Sequence, residues 1–421
     1  MRLTLPILAS HLFVGLVAIC ALGSAAIPMV PPPDDRIELV QPFEIVSAEN
    51  SSGDLQGKLK NLAQIGPDHP LADERARQRA SQTLSLFGRE DLIAATSGDY
   101  KANGCAPLQM TSQATSTVLD EIASRARQTS IVIMSESHER SQHRGFIAEV
   151  ASRLRPLGYD TLAIETLSYS LPGTPERSLP TFRRQPNLPF FSEDDGYYLY
   201  EAGFGRLGRR AKALGYRLLP YEFIAEQHGV AAPDATREQR IAIREEGQAN
   251  HLATYLREHP GTKLLVHVGY SHASEVPQSN GDKWMAARLK EKTSIDPLTI
   301  SQTICRGGGD TVRFSALPAD QPAGAFDLLV DHPKARFVQG RPEWRLLAGD
   351  MAVSIPQALL PSTGWRVIEA RPVGEPATSV PMDRVAIRPG ETIALMLPPG
   401  RYNLRAIDMG GSEQTNLPHA R

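Results

Sequence analysis

Acidic and imidazole side chains follow several short apolar segments of this sequence. Glu136 and His138 come after SIVIMS, Glu165 after TLAI, and His272 after LLVHVGYS. A carboxylate beside an imidazole can orient the ring and raise its basicity, which suits activation of water by a general base. The same four side chains are also candidate metal ligands, since carboxylate oxygens and imidazole nitrogens bind divalent metals and iron. The residue types therefore predict hydrolytic chemistry or a metal site.

A cation is expected beside these groups. Arg244 lies in a helix predicted over residues 236–256, at helical spacing from Arg237. We predict a catalytic role for Arg244, either as a fork for a substrate carboxylate or oxyanion, or as a clamp on Glu136 or Glu165. Arg237 is expected at the surface.

Three further residues are candidates for contacting a substrate: Glu222, His143 and Tyr270. Several site candidates also have an ordinary structural interpretation. Glu136 could cap the helix that follows it, His143 could lie on a solvated helical turn, and Glu222 could simply face water. His267 lies inside an apolar segment and is expected to be a core histidine.

The elements that would position these residues alternate between strands and helices. Short apolar runs at 131–134, 161–165, 216–222, 263–268 and 298–305 predict strands, and helical periodicity of ten or more residues separates them. This alternation predicts an α/β fold with a mostly parallel sheet flanked by helices. Ligands bind outside the carboxyl ends of the strands in such sheets, so we expect the polar strand ends to meet around one pocket.

Length and composition predict more than one unit. The chain has 421 residues, a net charge of −2 and no basic stripe, so nothing indicates nucleic-acid binding. After the glycine run at 307–309, long helical periodicity ends and Pro and Gly recur. We predict four parts: a signal peptide (1–26), a linker and helical N-terminal extension (27–114), an α/β catalytic or binding domain (115–310) and a small C-terminal β-sandwich-like domain (318–421).

The first residues have the composition of a secretory signal. Arg2 is followed by a largely apolar run over residues 3–22, and small residues suited to cleavage stand at 24–26. We expect cleavage and a secreted or periplasmic protein with no membrane attachment afterwards. An uncleaved N-terminal anchor is the alternative, because the apolar run is long for a signal.

Two cysteines remain after such cleavage, Cys105 and Cys305. An oxidising compartment would allow them to form a disulfide that closes a very long loop. Two buried free thiols are the alternative. The sequence leaves both open because it does not specify the separation of the two Cα atoms.

Four segments carry a family resemblance. They are Ser135-Glu136-Ser137-His138, Ile164-Glu165, Arg244 followed by Gln248-Ala249, and Gly269-Tyr270-Ser271-His272. In this order they resemble a superfamily that joins ChaN-like haem-binding lipoproteins, erythromycin esterases and TIKI/TraB-type proteins. Ser135 stands where the family usually has Gly, and His143 matches the second His of the ChaN-type variant.

The resemblance covers about residues 119–305 and implies an α/β core with its site at the carboxyl rim of the sheet. Erythromycin esterases of this type use His and Glu to activate water, TIKI members look like metal-dependent proteases, and ChaN members bind haem. Our first hypothesis is an exported hydrolase of an ester or peptide, with or without a divalent metal. The alternative is a periplasmic haem- or iron-binding protein for uptake, in which the aromatic-rich segment 168–195 and the tyrosines after it cover the haem.

Overall fold

The computed structural model describes residues 36–51, 53–65, 74–108, 117–223, 232, 234–278 and 280–409. The predicted signal peptide, residues 1–26, lies outside these ranges. Within them, no helix combines the length and the hydropathy that a membrane span requires.

Helices and strands alternate over most of the described chain. The helices are α1 (Gly53–Ala63), α2 (Glu74–Leu86), α3 (Glu90–Ile93), α4 (Val118–Ala126), α5 (Ser141–Leu154), α6 (Thr181–Arg184), α7 (Ala202–Ala213), α8 (Arg237–Glu258), α9 (Met285–Thr293) and α10 (Trp344–Leu347). The strands are β1 (Ile37–Ser47), β2 (Ile131–Glu136), β3 (Thr161–Ile164), β4 (Arg217–Pro220), β5 (Leu264–Gly269), β6 (Leu298–Ser301), β7 (Arg313–Ser315), β8 (Leu328–Asp331), β9 (Phe337–Val338), β10 (Arg341–Pro342), β11 (Met351–Ser354), β12 (Arg366–Pro372), β13 (Asp383–Ile387), β14 (Ala394–Leu397) and β15 (Gly400–Asp408).

A seven-stranded sheet forms the centre of the α/β part, in the order β4-β3-β5-β2-β6-β8-β7. Its strand pairs are parallel except for the edge pair β7–β8, which is antiparallel. Strands β2 and β5 are buried along their whole length. Such continuous apolar runs are typical of strands covered on both faces.

Alternate residues of each central strand enter two different apolar clusters. Val132 and Met134 pack with α4, α5 and α7 on one face. Ile131 and Ile133 pack with α8 and α9 on the other face. Because successive side chains of a strand point to opposite faces, one apolar run supplies both layers. The predicted α/β class, with a parallel-rich sheet flanked by helices, is confirmed.

The C-terminal region differs from the expectation in two respects. Strand β8 lies within 318–421, the range expected for the separate β domain, but it pairs with β6 in the central sheet. Leu328 and Val330 alternate into the same apolar cluster as the helices of that sheet, which explains the pairing. The remaining strands form a four-stranded sheet, β1-β15-β12-β13, and two separate pairs, β9–β10 and β11–β14. A β-sandwich is therefore not confirmed.

The region 27–114, expected to be a linker and a helical extension, contains a strand of that four-stranded sheet. Strand β1 pairs in parallel with β15, from Ile37 opposite Gly400 to Ser47 opposite Asp408. Most of its side chains are partly or fully exposed, as at a sheet edge. The sequence pattern did not reveal this strand because an exposed edge strand needs no regular apolar alternation.

The two cysteines form a disulfide, which resolves the alternatives left open by the sequence. Cys105 and Cys305 have Cα atoms 5.6 Å apart and are separated by 200 positions in sequence. The bond joins the segment before α4 to the loop after β6. An isolated antiparallel bridge between Asn103 and Arg306 lies beside it.

Candidate functional site

The structure brings the polar ends of four strands to one edge of the sheet. The strands β4, β3, β5 and β2 are direct neighbours, so their carboxyl ends lie side by side. Glu136 is the last residue of β2 and Glu165 directly follows β3. Glu222 lies two residues after β4, and His272 lies three residues after β5.

Glu136 is fully buried and is the fixed anion of this edge. Its carboxylate accepts two hydrogen bonds from Nη1 of Arg144, at 2.9 and 2.8 Å. Nε2 of His267 lies 3.0 Å from Oε2, and Nδ1 of His138 lies 3.2 Å from Oε1. Burial alone would raise the pKa of Glu136, but the charge of Arg144 and the contact with His267 hold this pKa well below its usual value. The carboxylate therefore stays ionised and can hold His138 through Nδ1.

The His138 ring occupies a narrow place above β5. It stacks on Tyr198 at 5.7 Å between ring centroids and meets the edge of Tyr270 at 5.1 Å. A Cβ atom on Gly269 would lie 2.6 Å from Cε1 and 2.9 Å from Nε2 of His138, and 3.3 Å from Oε2 of Glu165. Position 269 must be glycine because any side chain would collide with the imidazole. Nε2 of His138 and the Glu165 carboxylate therefore share one small volume.

Glu165, Arg244 and Glu222 form a second charged group. The guanidinium of Arg244 contacts Oε1 of Glu165, and it lies 3.0 Å (Nε) and 2.5 Å (Nη2) from the two Glu222 oxygens. The N–H of Gly269 donates to Oε2 of Glu165 at 2.7 Å. Burial raises the pKa of Glu165, but His272 and Arg244 outweigh burial and lower it to about 2. Arg244 is thus a clamp on Glu165, one of the two roles expected for it, and it does not touch Glu136.

His272 lies behind Arg244. Its Nδ1 atom is 2.5 Å from Oε1 of the buried Glu245, and its Nε2 atom is 3.2 Å from Nη1 of Arg244, which donates when the ring is neutral. Nε2 also lies 3.7 Å from Oε1 of Glu165. Burial lowers the pKa of His272, but the hydrogen bond to Glu245 and the charge of Glu165 raise it above its usual value. His272 is therefore placed to position Arg244 and Glu165.

A cavity of about 480 Å³ opens at this edge. Its wall combines His138, Glu165, Glu222 and Arg244 with a set of polar and aromatic residues from the segments after β3 and before α7: Thr166, Leu167, Ser168, Tyr169, Tyr197 and Tyr198. Three catalytic candidates, His138, Glu165 and Arg244, thus line the same cavity as the predicted substrate contact Glu222. The other two, Glu136 and His272, lie behind its wall.

Two predicted substrate contacts lie outside this cavity. Tyr270 donates from its hydroxyl to Asp99 at 2.8 Å and holds the edge of the His138 ring. His143 is fully buried, where Nδ1 accepts a hydrogen bond from the Ser137 N–H at 2.9 Å. Helix α5 begins at Ser141, and its first turn carries His143 into the core. His143 is thus neither a substrate contact nor a surface residue.

The geometry does not fit a metal at the four predicted ligands. The described residues hold no group of three or more His, Cys, Asp or Glu side chains arranged to bind a metal ion. Both oxygens of Glu136 are engaged by Arg144, and the guanidinium of Arg244 contacts both Glu165 and His272. A guanidinium ion thus supplies the positive charge that a metal would bring.

Several residues of the site were not identified from the sequence. Arg144 neutralises Glu136 and also donates from Nε to Glu201 at 2.8 Å, and Glu245 holds His272. His267, expected in the core, is buried there and also contacts Glu136. One signal was available for Glu245, which directly follows Arg244 in the motif. Nothing local distinguishes Arg144 from a surface arginine.

Two buried histidines below the site predict acid sensitivity of the fold. His332 stacks on His143 at 5.1 Å between centroids. Burial and the charge of Arg140 lower the pKa of His332 to about 3, and burial also lowers the pKa of His143 well below its usual value. Both pKa values lie below that of an unfolded histidine, near 6.5. As the pH falls, the unfolded chain therefore takes up protons at a higher pH than the folded protein does. The free energy of unfolding decreases as the pH falls from about 6.5 toward 3.

The test compares His332→Gln with wild type by urea unfolding at pH 7 and pH 5. The free energy of unfolding of wild type should decrease from pH 7 to pH 5. In His332→Gln, which lacks one such histidine, this decrease should be smaller by about 2 kcal/mol. The other titrating groups are common to both proteins, and their contributions cancel apart from the effect of His332 on the pKa of His143. The control is His259→Gln, at an exposed position, which should keep the wild-type pH dependence. An unchanged pH dependence in His332→Gln would contradict the prediction.

Comparison with known proteins gives only distant structural similarity. No protein-family model and no curated protein matches the chain. Among solved structures, it is similar to the type III effector HopBA1 (15% identity, TM-score 0.35, covering 56% of this chain and 98% of that one). It is similar to ChaN of Campylobacter jejuni, solved with cofacially bound haem (9% identity, TM-score 0.34, covering 50% of this chain and 90% of that one). It is also similar to RRSP, a MARTX toxin effector domain from Vibrio vulnificus (14% identity, TM-score 0.33, covering 62% of this chain and 48% of that one). The family resemblance of the four motifs therefore stays a prediction.

Proposed function

We propose that this protein is an exported hydrolase in which Glu136 and His138 activate water to cleave an ester or amide bond. The observation that carries the proposal is the 3.2 Å contact from Nδ1 of His138 to the buried, ionised Glu136. This contact directs the basic Nε2 atom toward the cavity side of β5. Export rests on the composition of residues 1–26 alone.

In the proposed reaction, water attacks the carbonyl carbon of the substrate while Nε2 of His138 takes its proton. The new carbon–oxygen bond converts the carbonyl into a tetrahedral oxyanion, and Glu136 stabilises the imidazolium that forms. Collapse of the intermediate breaks the bond to the leaving group, which takes the proton back from Nε2. The products are a carboxylic acid and an alcohol or amine, and no metal takes part in the steps.

Arg244 is the cation available for the oxyanion, but most of its donors are engaged. A guanidinium has five N–H groups. Nε–H and both N–H groups of Nη2 bind Glu222 and Glu165, and one N–H of Nη1 faces His272. One N–H of Nη1 is left. A single donor suits an oxyanion, whereas a forked bond to a substrate carboxylate would require Arg244 to release its partners.

The proposal is tested with the wild-type protein against a panel of aryl esters, aryl amides and short peptides. We expect turnover above the buffer rate for at least one substrate. A single turnover in heavy-oxygen water should then place the label in the acid product. Label on a protein carboxylate would show that a glutamate attacks the substrate instead. If no ester or amide is cleaved, the hydrolase proposal is wrong.

One observation favours haem binding as a second candidate. The cavity is lined by Tyr169, Tyr197 and Tyr198 beside an imidazole, and Tyr198 stacks on the His138 ring. Such a wall could hold a flat aromatic ligand and supply a histidine to its iron. Titration with haem should then shift the Soret band in wild type but not in His138→Asn. No shift in either protein would remove this candidate.

A further inference from the structure

A second cavity, of about 610 Å³, lies apart from the first and shares no lining residue with it. It is bounded by the start of α5, the glycine turn at 307–310, the segment 333–336 and residues 342–347. The proposed hydrolytic chemistry uses none of these residues.

Arg140 in the wall of this cavity is a buried cation that forms no ion pair with a described residue, although the charges of Glu90 and Asp99 act on it from a greater distance. Its side chain is only 2% exposed. Nη2 donates to Oε1 of Gln142 at 2.9 Å, and the guanidinium lies 5.5 Å from the ring centroid of Tyr100. Among the described residues no carboxylate lies within ion-pair distance of it, and burial lowers its pKa.

The other buried arginines of the described chain behave differently. Each of them forms an ion pair with at least one carboxylate: Arg89, Arg144, Arg341, Arg345, Arg371 and Arg384. An unpaired charge in the interior is costly, so proteins rarely keep one without a partner. The missing partner of Arg140 points to a negatively charged ligand.

A second donor without an acceptor belongs to Trp344, which lines this cavity and also a neighbouring one. Nε1 of Trp344 is buried and donates to no atom of the described residues. Lys334 stands exposed at the rim, and Arg336 beside it is 69% exposed and 3.9 Å from Asp310. The cavity thus combines one buried cation, one buried N–H donor and two cations at its mouth.

Three acidic residues line the cavity as well and weigh against an anion. Glu90 has its two oxygens engaged by the hydroxyls of Tyr100 and Ser141, and burial raises its pKa, which favours the uncharged form. Asp310 is almost fully exposed and lies near Arg336. Glu343 is partly buried and, like Glu90, forms no ion pair with a described residue.

We propose that this second cavity binds an oxyanion, the phosphate or carboxylate group of a small ligand, with Arg140 as its fork and Nε1 of Trp344 as a further donor. Arginine presents planar paired N–H groups that match the oxygens of both groups. The site lies at the N-terminus of α5, where the helix dipole also favours negative charge.

The test measures thermal unfolding of the full chain during titration with inorganic phosphate and, separately, with acetate at constant ionic strength. At least one anion should raise the unfolding temperature of wild type in a saturable way. In Arg140→Gln the affinity should fall by roughly 10-fold or more, because charge-assisted hydrogen bonds are lost. Trp344→Phe, which keeps the ring and removes one N–H, should weaken binding by a smaller factor.

The control is Arg336→Gln, the same change of charge at the rim, which should leave affinity nearly unchanged. Without anion, Arg140→Gln should unfold at the same temperature as wild type or higher, since it removes an unpaired buried charge. A lower unfolding temperature without anion would show that Arg140 is a structural residue and would overturn the proposal. Absence of saturable binding of both anions to wild type would overturn it too. If phosphate raises the unfolding temperature, the site prefers a phosphate group, and if acetate does so, it prefers a carboxylate.

Discussion

Replacement of His138 by Asn is expected to lower turnover of a cleaved ester or amide by a factor on the order of 10²–10⁴. The variant removes the nitrogen that takes the proton of water. Steady-state kinetics on a substrate from the panel measure the loss, which should fall on kcat.

The fold should tolerate this substitution. The His138 side chain is 23% exposed, and Glu136 keeps both hydrogen bonds from Arg144 after the imidazole is removed. The unfolding temperature should therefore stay close to that of wild type. Turnover within about threefold of wild type, in a folded variant, would contradict the assignment of His138 as the base.

The variant His272→Asn tests whether His272 only positions Arg244 and Glu165, while His138 is the base. His272 contacts Glu245 and Arg244 and lies behind the cavity wall. Its replacement should lower turnover less than that of His138, and it should weaken the effect of Arg244 on the oxyanion. A larger loss for His272 than for His138 would exchange the two roles.

The largest loss of stability is expected for Glu369→Gln. Glu369 is fully buried on β12 and accepts hydrogen bonds from Arg371 at 2.6 Å, Arg384 at 2.7 Å and Arg405 at 2.9 Å. Removing its charge leaves Arg371 and Arg384 with Glu193 as their remaining anion, and it leaves Arg405 without an ion pair among the described residues. We expect the free energy of unfolding to fall by roughly 3–5 kcal/mol, as when a buried ion pair loses one partner.

The matched control for this prediction is Glu38→Gln in the same sheet. Glu38 pairs with Arg401 at 2.8 Å, but both side chains are more than half exposed. Water and salt screen such a pair, so the unfolding midpoint should not change measurably. Equal midpoints for Glu369→Gln and wild type in urea would show that the buried network contributes little.

Local patterns predicted most of the elements that carry the site. The apolar runs before Glu136 and Glu165 and before Gly269 are strands β2, β3 and β5, because a buried strand needs a short apolar run wherever its partners lie. The burial of single side chains was less accurate. His143 was a candidate for contacting a substrate, with a solvated helical turn as the alternative, but the first turn of α5 places it in the core.

Long-range pairing could not be predicted from those patterns. Strand β1 pairs with β15, more than 350 positions later in the sequence. Strand β8 belongs to the C-terminal region of the sequence but pairs with β6 in the central sheet. An apolar run specifies that a face must be buried, but not which strand it meets. The two cysteines illustrate the same limit, since their spacing allowed a bond or free thiols.

By itself, the sequence determined the α/β class, the alternation of strands and helices from β2 to β6, and the chemical types of the side chains at the strand ends. Only the tertiary structure decided that Arg144 neutralises Glu136, that Arg244 clamps Glu165, and that Arg140 forms no ion pair within the described part of the chain. The physical reason is the range of the forces. Hydrophobic periodicity is local along the chain, whereas the state of a buried charge depends on groups brought to within a few ångströms from distant segments.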